Sequence, residues 1–309
     1  FLLKRIGGIM FKIIQALILM ISVSAFAHIG DDPMELRSDS GIRGPSYIDM
    51  KKGLAELQMK YPNVVELIPV AKSLGGRHLA GVLLLNKEVG RIDRLTIITG
   101  ATHGNEYLNI ADRLPKAFIE TKMPSLGNYI ANNGAVLIVP IINPDGYERR
   151  RRYNNNNVDL NRDFPNALID LDGLSQPETN SYVNFVRHLI KKSGAKLDMV
   201  VDYHCCHGSL LYPFGYTSKR ISKADLDRHV FVAELMQNWF KGYVHGITGE
   251  VLGYFPRGTT KDFWYLEYGA LAYTFEGKYR VEKNNLVKHL NWWEQVFAYL
   301  NTPALPFEM

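Results

Sequence analysis

Hydrophobic and polar positions along this chain fall into two alternating patterns. Short, almost unbroken apolar runs, "RLTIIT" (94–99), "AVLIVPII" (135–142), "LDMVVDYH" (197–204) and "ALAYTF" (270–275), have the character of strands buried on both faces. "VVELIPVAKSLGGRHLAGVLLL" (64–85) reads as two strands around a turn at Gly75-Gly76. Between these runs lie segments with apolar residues near helical spacing. "SYIDMKKGLAELQMKYP" (46–62) stops at Pro62, and "EYLNIADRLPKAFIETK" (106–122) is interrupted near Pro115. "PETNSYVNFVRHLIKK" (177–192) opens on a proline and closes on basic residues, as a helix does. "ADLDRHVFVAELMQNWF" (224–240) and "VEKNNLVKHLNWWEQVFAYL" (281–300) supply two further helices. Strands alternating with helices predict an α/β fold: one domain over residues 45–301, built on a mixed, largely parallel twisted sheet flanked by helices on both faces.

In such a sheet, chemistry gathers at the carboxyl ends of the strands. His103 follows "LTIIT", Asn143 follows "LIVPII", His204 ends "DMVVDY" and Glu276 ends "LAYTF". Four separate segments deliver a polar or ionisable group where a strand stops, which points to one shared cleft.

Charge adds little to this picture. Of the formal net charge of +5, Lys4, Arg5 and Lys12 fall in the first 27 residues, which hold no acid, so the remainder is near neutrality. No basic face interleaved with aromatics is present, so no nucleic-acid partner is expected. "MFKIIQALILMISVSAFA" has a lysine, a short apolar run and Ala25-Phe26-Ala27, the pattern of a secretory signal peptide cut after Ala27. The expectation is a secreted protein, periplasmic or extracellular, free of the membrane after cleavage and monomeric. Residues 28–44 read as a loose lead-in and 302–309 as a tail. The two cysteines, Cys205 and Cys206, are adjacent. Neighbours in sequence bridge only with unusual backbone strain, so they are expected to be small buried apolar residues rather than a disulfide.

Zinc hydrolases commonly use three side-chain ligands and keep a fourth position for water, and His₂Glu is one such set. His103 and Glu106, three apart in a turn running into a helix, can face one ion. A third ligand should come from another strand end. His204 and His207 both qualify, and His204, at the close of "VVDY", is preferred.

"HGNE", "NPDGYE", "NNNNVDLNRDFP", "QPET", "DYHCCHGSLLYPFGY" and "AYTFEG" occur in the order and approximate spacing of the zinc metallocarboxypeptidase family, the M14 or carboxypeptidase A-like peptidases. The resemblance covers roughly residues 45–300. It implies a phosphorylase/hydrolase-like sheet of about eight strands and one Zn²⁺ per chain. It also implies His103, Glu106 and His204 as metal ligands and Glu276 as the carboxylate that activates water. Asn161 and Arg162 match the pair that holds the substrate's terminal carboxylate, and Arg152 matches the arginine that polarises the scissile carbonyl. Tyr254 falls where the family has its mobile capping tyrosine. Lys261 falls where the family sets preference for the C-terminal side chain.

The implied activity is hydrolysis of the last peptide bond of a substrate with a free C-terminal carboxylate. A lysine in the specificity position suits an acidic side chain or an extra carboxylate. Two alternatives share the fold: cleavage of murein peptides, and deacylation of N-acyl amino acids, since "HGNE" and "DLNRDFP" also resemble the aspartoacylase branch. Asn105 departs from the arginine many digestive members carry there, so contacts with extended substrates should differ. No long pro-segment separates Ala27 from the domain, so latency of the pancreatic type is not expected.

Overall fold

The apolar runs form the middle of one eight-stranded sheet. The computed structural model describes residues 39–302, all within one compact unit, so the signal segment and residues 303–309 lie outside the described residues. The strands are β1 (Val65–Lys72), β2 (His78–Leu84), β3 (Arg94–Gly100), β4 (Gly134–Val139), β5 (Lys196–Cys206), β6 (Ser209–Leu211), β7 (Val244–Gly246) and β8 (Leu271–Lys278). Their spatial order is β1-β2-β4-β3-β5-β8-β6-β7. The central strands β4, β3, β5 and β8 run parallel, while β1, β2 and β4 are joined antiparallel, as are β8 and β6. The expected mixed α/β sheet is present, with β6 and β7 as short additions too brief to leave a pattern in the sequence.

Period-2 alternation assigns each strand residue to one of two apolar layers. Met199, Val201 and Tyr203 of β5 and Leu271, Tyr273 and Phe275 of β8 share one layer. It is completed by helices α1 (Tyr47–Lys60), α2 (Leu114–Glu120), α3 (Pro124–Ala131), α6 (Lys223–Gln237) and α9 (Leu286–Asn301). Leu197, Val200 and Ala272 face the other layer, with α5 (Pro177–Ser193) and α8 (Thr260–Tyr268). Two short helices, α4 (Pro144–Arg149) and α7 (Thr248–Leu252), lie in connections. By the same parity Asp202, His204 and Glu276 belong to the α8 side, which puts the chemistry on one face of the sheet.

Three expectations need correction. No helix spans 106–113: Asn109 has φ 57°, outside the right-handed helix, and the Tyr107 hydroxyl is held between Asn109 Oδ1 (2.9 Å) and Asp112 Oδ2 (2.6 Å). The helix starts only at Leu114, with Pro115 in its first turn, where a missing N–H is harmless. The closing helix begins at Leu286, after a 3₁₀ turn over Glu282–Asn284, rather than at Val281. Cys205 and Cys206 are bonded to one another as a disulfide; Cys205 is buried as expected, but neither carries a free thiol. Among the described residues no helix is long and apolar enough to cross a membrane.

Candidate metal centre and active site

β3 and β5 run side by side, with Gly100 opposite Tyr203, so the residues just past β3 arrive beside His204. Ala101 at φ 46° turns the chain out of the sheet. Gly104 then passes so close to α4 that a Cβ would sit 2.1 Å from the Gly146 carbonyl carbon, so no side chain fits there. The turn closes with the Glu106 amide donating to the His103 carbonyl (3.0 Å), which brings His103 and Glu106 to the same side.

Three ligand atoms converge. His103 Nδ1 and His204 Nδ1 each lie 2.9 Å from Glu106 Oε2 and 3.1 Å from each other. Three donors of a tetrahedral zinc with bonds of about 2.0–2.2 Å stand roughly 3.3 Å apart, so the spacing fits. The far ring nitrogens are already committed: His103 Nε2 to Asp159 Oδ1 (2.8 Å) and His204 Nε2 to Asp202 Oδ2 (2.7 Å). A proton on each Nε2 satisfies these carboxylates and leaves both Nδ1 lone pairs aimed at Glu106. Two lone pairs and a carboxylate oxygen in contact repel unless a cation lies between them. Burial alone would push His204 down, yet the Asp202 and Glu106 carboxylates outweigh it and hold its pKa well above the ordinary value. The pocket demands positive charge, and a divalent ion meets the demand better than a proton does. The same three residues are the one group of this kind among the described residues, and all three are buried. His207 is exposed and stands outside the triad.

Arg152 ties Glu106 of the triad to Asp159. Its Nη1 donates to Glu106 Oε1 (2.9 Å), while Nε and Nη2 donate to Asp159 Oδ2 (3.1 and 2.8 Å). Asn143, capping α4, holds the Arg152 carbonyl through Nδ2 (3.1 Å). Asp159 is the hinge of this arrangement, because its Oδ1 also accepts the Asn161 amide (2.8 Å). Burial would raise Asp159, but His103, Arg152 and Arg162 together keep its pKa well below the usual carboxylate value. Asp159→Asn is therefore expected to weaken zinc about 10–100-fold, the usual effect of losing a partner behind a histidine ligand. Competition with a chromophoric chelator measures this.

Glu276 stands on β8 directly opposite His204. It is 8% exposed, and its Oε2 has no hydrogen-bond partner. Burial, followed by the nearby Glu106 charge, raises its pKa to about 7, against the lowering effect of His204, His103 and Arg152. Arg162 follows Asn161 in a 3₁₀ turn over Leu160–Arg162, backed by Gly258 at φ 70°, whose Cβ would sit 2.4 Å from the Arg162 carbonyl oxygen. Lys261, in the first turn of α8, is 2% exposed, with Nζ 3.4 Å from both Thr259 Oγ1 and Asp262 Oδ1. Burial lowers its pKa, and its ammonium is within electrostatic reach of Arg162 and Glu276. Tyr254 is half-buried on the loop between α7 and α8. Eight of the nine residues anticipated from sequence thus belong to one connected cluster, and Tyr254 lies on the adjoining loop. Asp159, Asp202 and Thr260 were not anticipated. Asp202 could have been, because two residues before His204 it must share that residue's face.

A His₂Glu donor set beside a buried carboxylate, at the strand ends of a mixed α/β sheet, defines a zinc-hydrolase type of site. The sequence profile of the zinc carboxypeptidase family (Peptidase_M14) matches residues 50–287, and the chain belongs to that family. It is 26% identical over 290 residues to human carboxypeptidase D, covering 80% of this chain and 20% of that protein. It is 27% identical over 249 residues to carboxypeptidase SOL1 of Arabidopsis thaliana, covering 74% and 49%. The chain thus spans from a fifth to about half the length of these curated relatives. In fold it resembles bovine thrombin-activatable fibrinolysis inhibitor, solved in complex with a tick carboxypeptidase inhibitor. That likeness has a TM-score of 0.67 at 20% identity and covers 84% of this chain and 97% of the other.

Proposed function

We propose that this chain is a zinc-dependent carboxypeptidase that hydrolyses the C-terminal bond of peptides. The observation that carries the reading is the convergence of His103 Nδ1, Glu106 Oε2 and His204 Nδ1, with the partnerless Glu276 Oε2 on the neighbouring strand. Bound there, zinc supplies Lewis acidity, polarising a carbonyl and lowering the pKa of water to about 7. Glu276 Oε2 takes the proton of the attacking water and returns it to the leaving amine nitrogen. Arg152 is placed beside the ligands to stabilise charge gathering on the scissile carbonyl oxygen. Arg162, whose planar fork suits a carboxylate, and Asn161 hold the substrate's C-terminus, which makes the enzyme an exopeptidase. Tyr254, on the loop leading to α8, closes over the substrate. In this reading the protein is exported through its N-terminal signal and acts as a monomer.

Lys261 favours a substrate whose last residue is acidic. A buried ammonium with only 3.4 Å contacts is poorly satisfied by its own chain, and a second carboxylate beside Arg162 completes it. Charge-assisted hydrogen bonds contribute about 1.5–3 kcal/mol, so Lys261→Met should cut kcat/KM for Glu-ended peptides roughly tenfold to a hundredfold relative to Phe-ended ones. An unchanged ratio removes the acidic preference.

The deciding experiment treats peptides differing only in their last residue, together with murein peptides and N-acyl amino acids, with and without chelator, and follows products by mass spectrometry. Stepwise, chelator-sensitive loss of single C-terminal residues is the expected result. Internal cleavage, or turnover of N-acyl amino acids alone, refutes it.

A further inference from the structure

Thr260 opens α8 on the sheet face that carries His204, and it is 3% exposed. Its backbone N–H donates to Asn161 Oδ1 (3.0 Å). Its hydroxyl lies 3.1 Å from Asp202 Oδ2, the same oxygen that meets His204 Nε2, and 3.3 Å from Asn161 Oδ1. A hydroxyl has one proton to give, and the nearer, charged Asp202 oxygen takes it. The amide N–H has only an oxygen to bind, so the side chain of Asn161 is fixed with Oδ1 toward Thr260 and its NH₂ prong turned away.

We infer that Thr260 is a positioning residue: its backbone N–H orients the Asn161 amide so that NH₂ faces the carboxylate of a peptide ligand. The inference rests on the carboxypeptidase reading above. A substrate carboxylate accepts hydrogen bonds and cannot give them, so an Asn161 turned the other way would set oxygen against oxygen. Nothing else among the described contacts fixes this choice, because Asn161 Oδ1 meets only Thr260. The hydroxyl has a separate task. With Thr99 and Thr102 it surrounds the carboxylate of Asp202, which is fully buried.

Substitution at the first helical position separates the two donors. Proline is accepted there, and the extended conformation of the preceding Thr259 (ψ 150°) suits it, so Thr260→Pro removes the N–H together with the hydroxyl without breaking α8. Thr260→Val removes the hydroxyl and keeps the N–H; Thr260→Ser keeps both. Each zinc-loaded variant is assayed on an N-acetylated peptide with a free C-terminus and on its C-terminal amide. Binding of the free-acid product to zinc-free protein is followed by calorimetry. For Thr260→Pro, KM for the free acid and the product Kd should rise about tenfold, the worth of one misdirected bond to a charged group. kcat and zinc stoichiometry should stay within twofold of wild type, and Thr260→Val and Thr260→Ser should keep wild-type KM and product Kd. Wild-type KM in the proline variant, or equal losses in proline and valine variants, overturns the assignment.

Should the proline variant fail to fold, Asn161→Asp serves instead. It keeps an acceptor for Thr260 and loses the NH₂, so unchanged product Kd again overturns the assignment. A wild-type enzyme that treats acid and amide alike refutes the carboxypeptidase reading itself, which is a different failure.

Discussion

Glu276→Gln should retain one zinc per chain and lose about 10²–10⁴-fold in kcat, the range attributed to a positioned general base. The substitution keeps the shape of the side chain and removes its charge and its ability to take a proton. Because Glu276 faces His204 across β5 and β8 without touching the ligand set in any described hydrogen bond, zinc stoichiometry should not change. KM should move little, since in the proposed reading Arg162 and Asn161 hold the substrate. The sign of the pH effect follows from the raised pKa, about 7 against an ordinary 4.5. The working form is deprotonated, so activity falls as pH drops through the folded value; a bound cation lowers that value and moves the acid limb below 7. A carboxyl with a raised pKa contributes stability that is fully present below its unfolded pKa and lost as pH rises through the folded one. In zinc-free protein at pH 8, Glu276→Gln should therefore be more stable than wild type by roughly 3 kcal/mol at most, and equal to it near pH 4. Unchanged turnover in the glutamine variant would refute the base assignment outright.

The reach of the sequence had a physical limit. Nearly continuous apolar runs announced β3, β4, β5 and β8 because strands covered on both faces are mostly apolar, and the ionisable residues that end them stood out for the same reason. What stayed hidden depended on partners distant in sequence. The nine-residue α8 carries aromatics around much of its surface, Trp264 among them, so it shows no clean stripe; Gly269 at φ 62° was its one stop signal. The loop after Glu106 has helical composition, but hydrogen bonds through Tyr107 and a left-handed Asn109 hold it open. Asp159 is an acid of common type, and only the fold puts its oxygen against His103, 56 residues away in sequence. The disulfide between Cys205 and Cys206 contradicted a reading based on typical bridge geometry. Motifs thus pointed to His103, Glu106 and His204, which the fold brings together, while Asp159 behind His103 emerged only from the fold.

Chelation should abolish activity completely and lower Tm, and the two effects have one cause. Two imidazoles and Glu106 are packed within 3.1 Å while Asp159 and Asp202 hold the far ring nitrogens, so a cation held between them offsets their mutual repulsion and favours the folded state. Any ligand that binds only the folded state stabilises it by RT ln(1 + [L]/Kd), about 4 kcal/mol when free zinc is 1,000 times Kd. Spread over a domain of this size, at about 2–4 °C per kcal/mol, that is a Tm difference of roughly 10 °C. Because Asp202 and Glu106 raise the His204 pKa well above its ordinary value, a proton competes with zinc for this imidazole. Zinc must displace it and also lowers the Glu276 pKa, so uptake should release at least about one proton per ion near pH 7. Calorimetric titration in buffers of different ionisation enthalpy counts that proton, and scanning calorimetry with and without chelator gives the Tm shift. Zinc uptake without proton release shows that His204 is already neutral in the apo protein, which breaks the electrostatic argument for the triad. A chelated protein with unchanged Tm and full turnover removes the metal from the mechanism altogether.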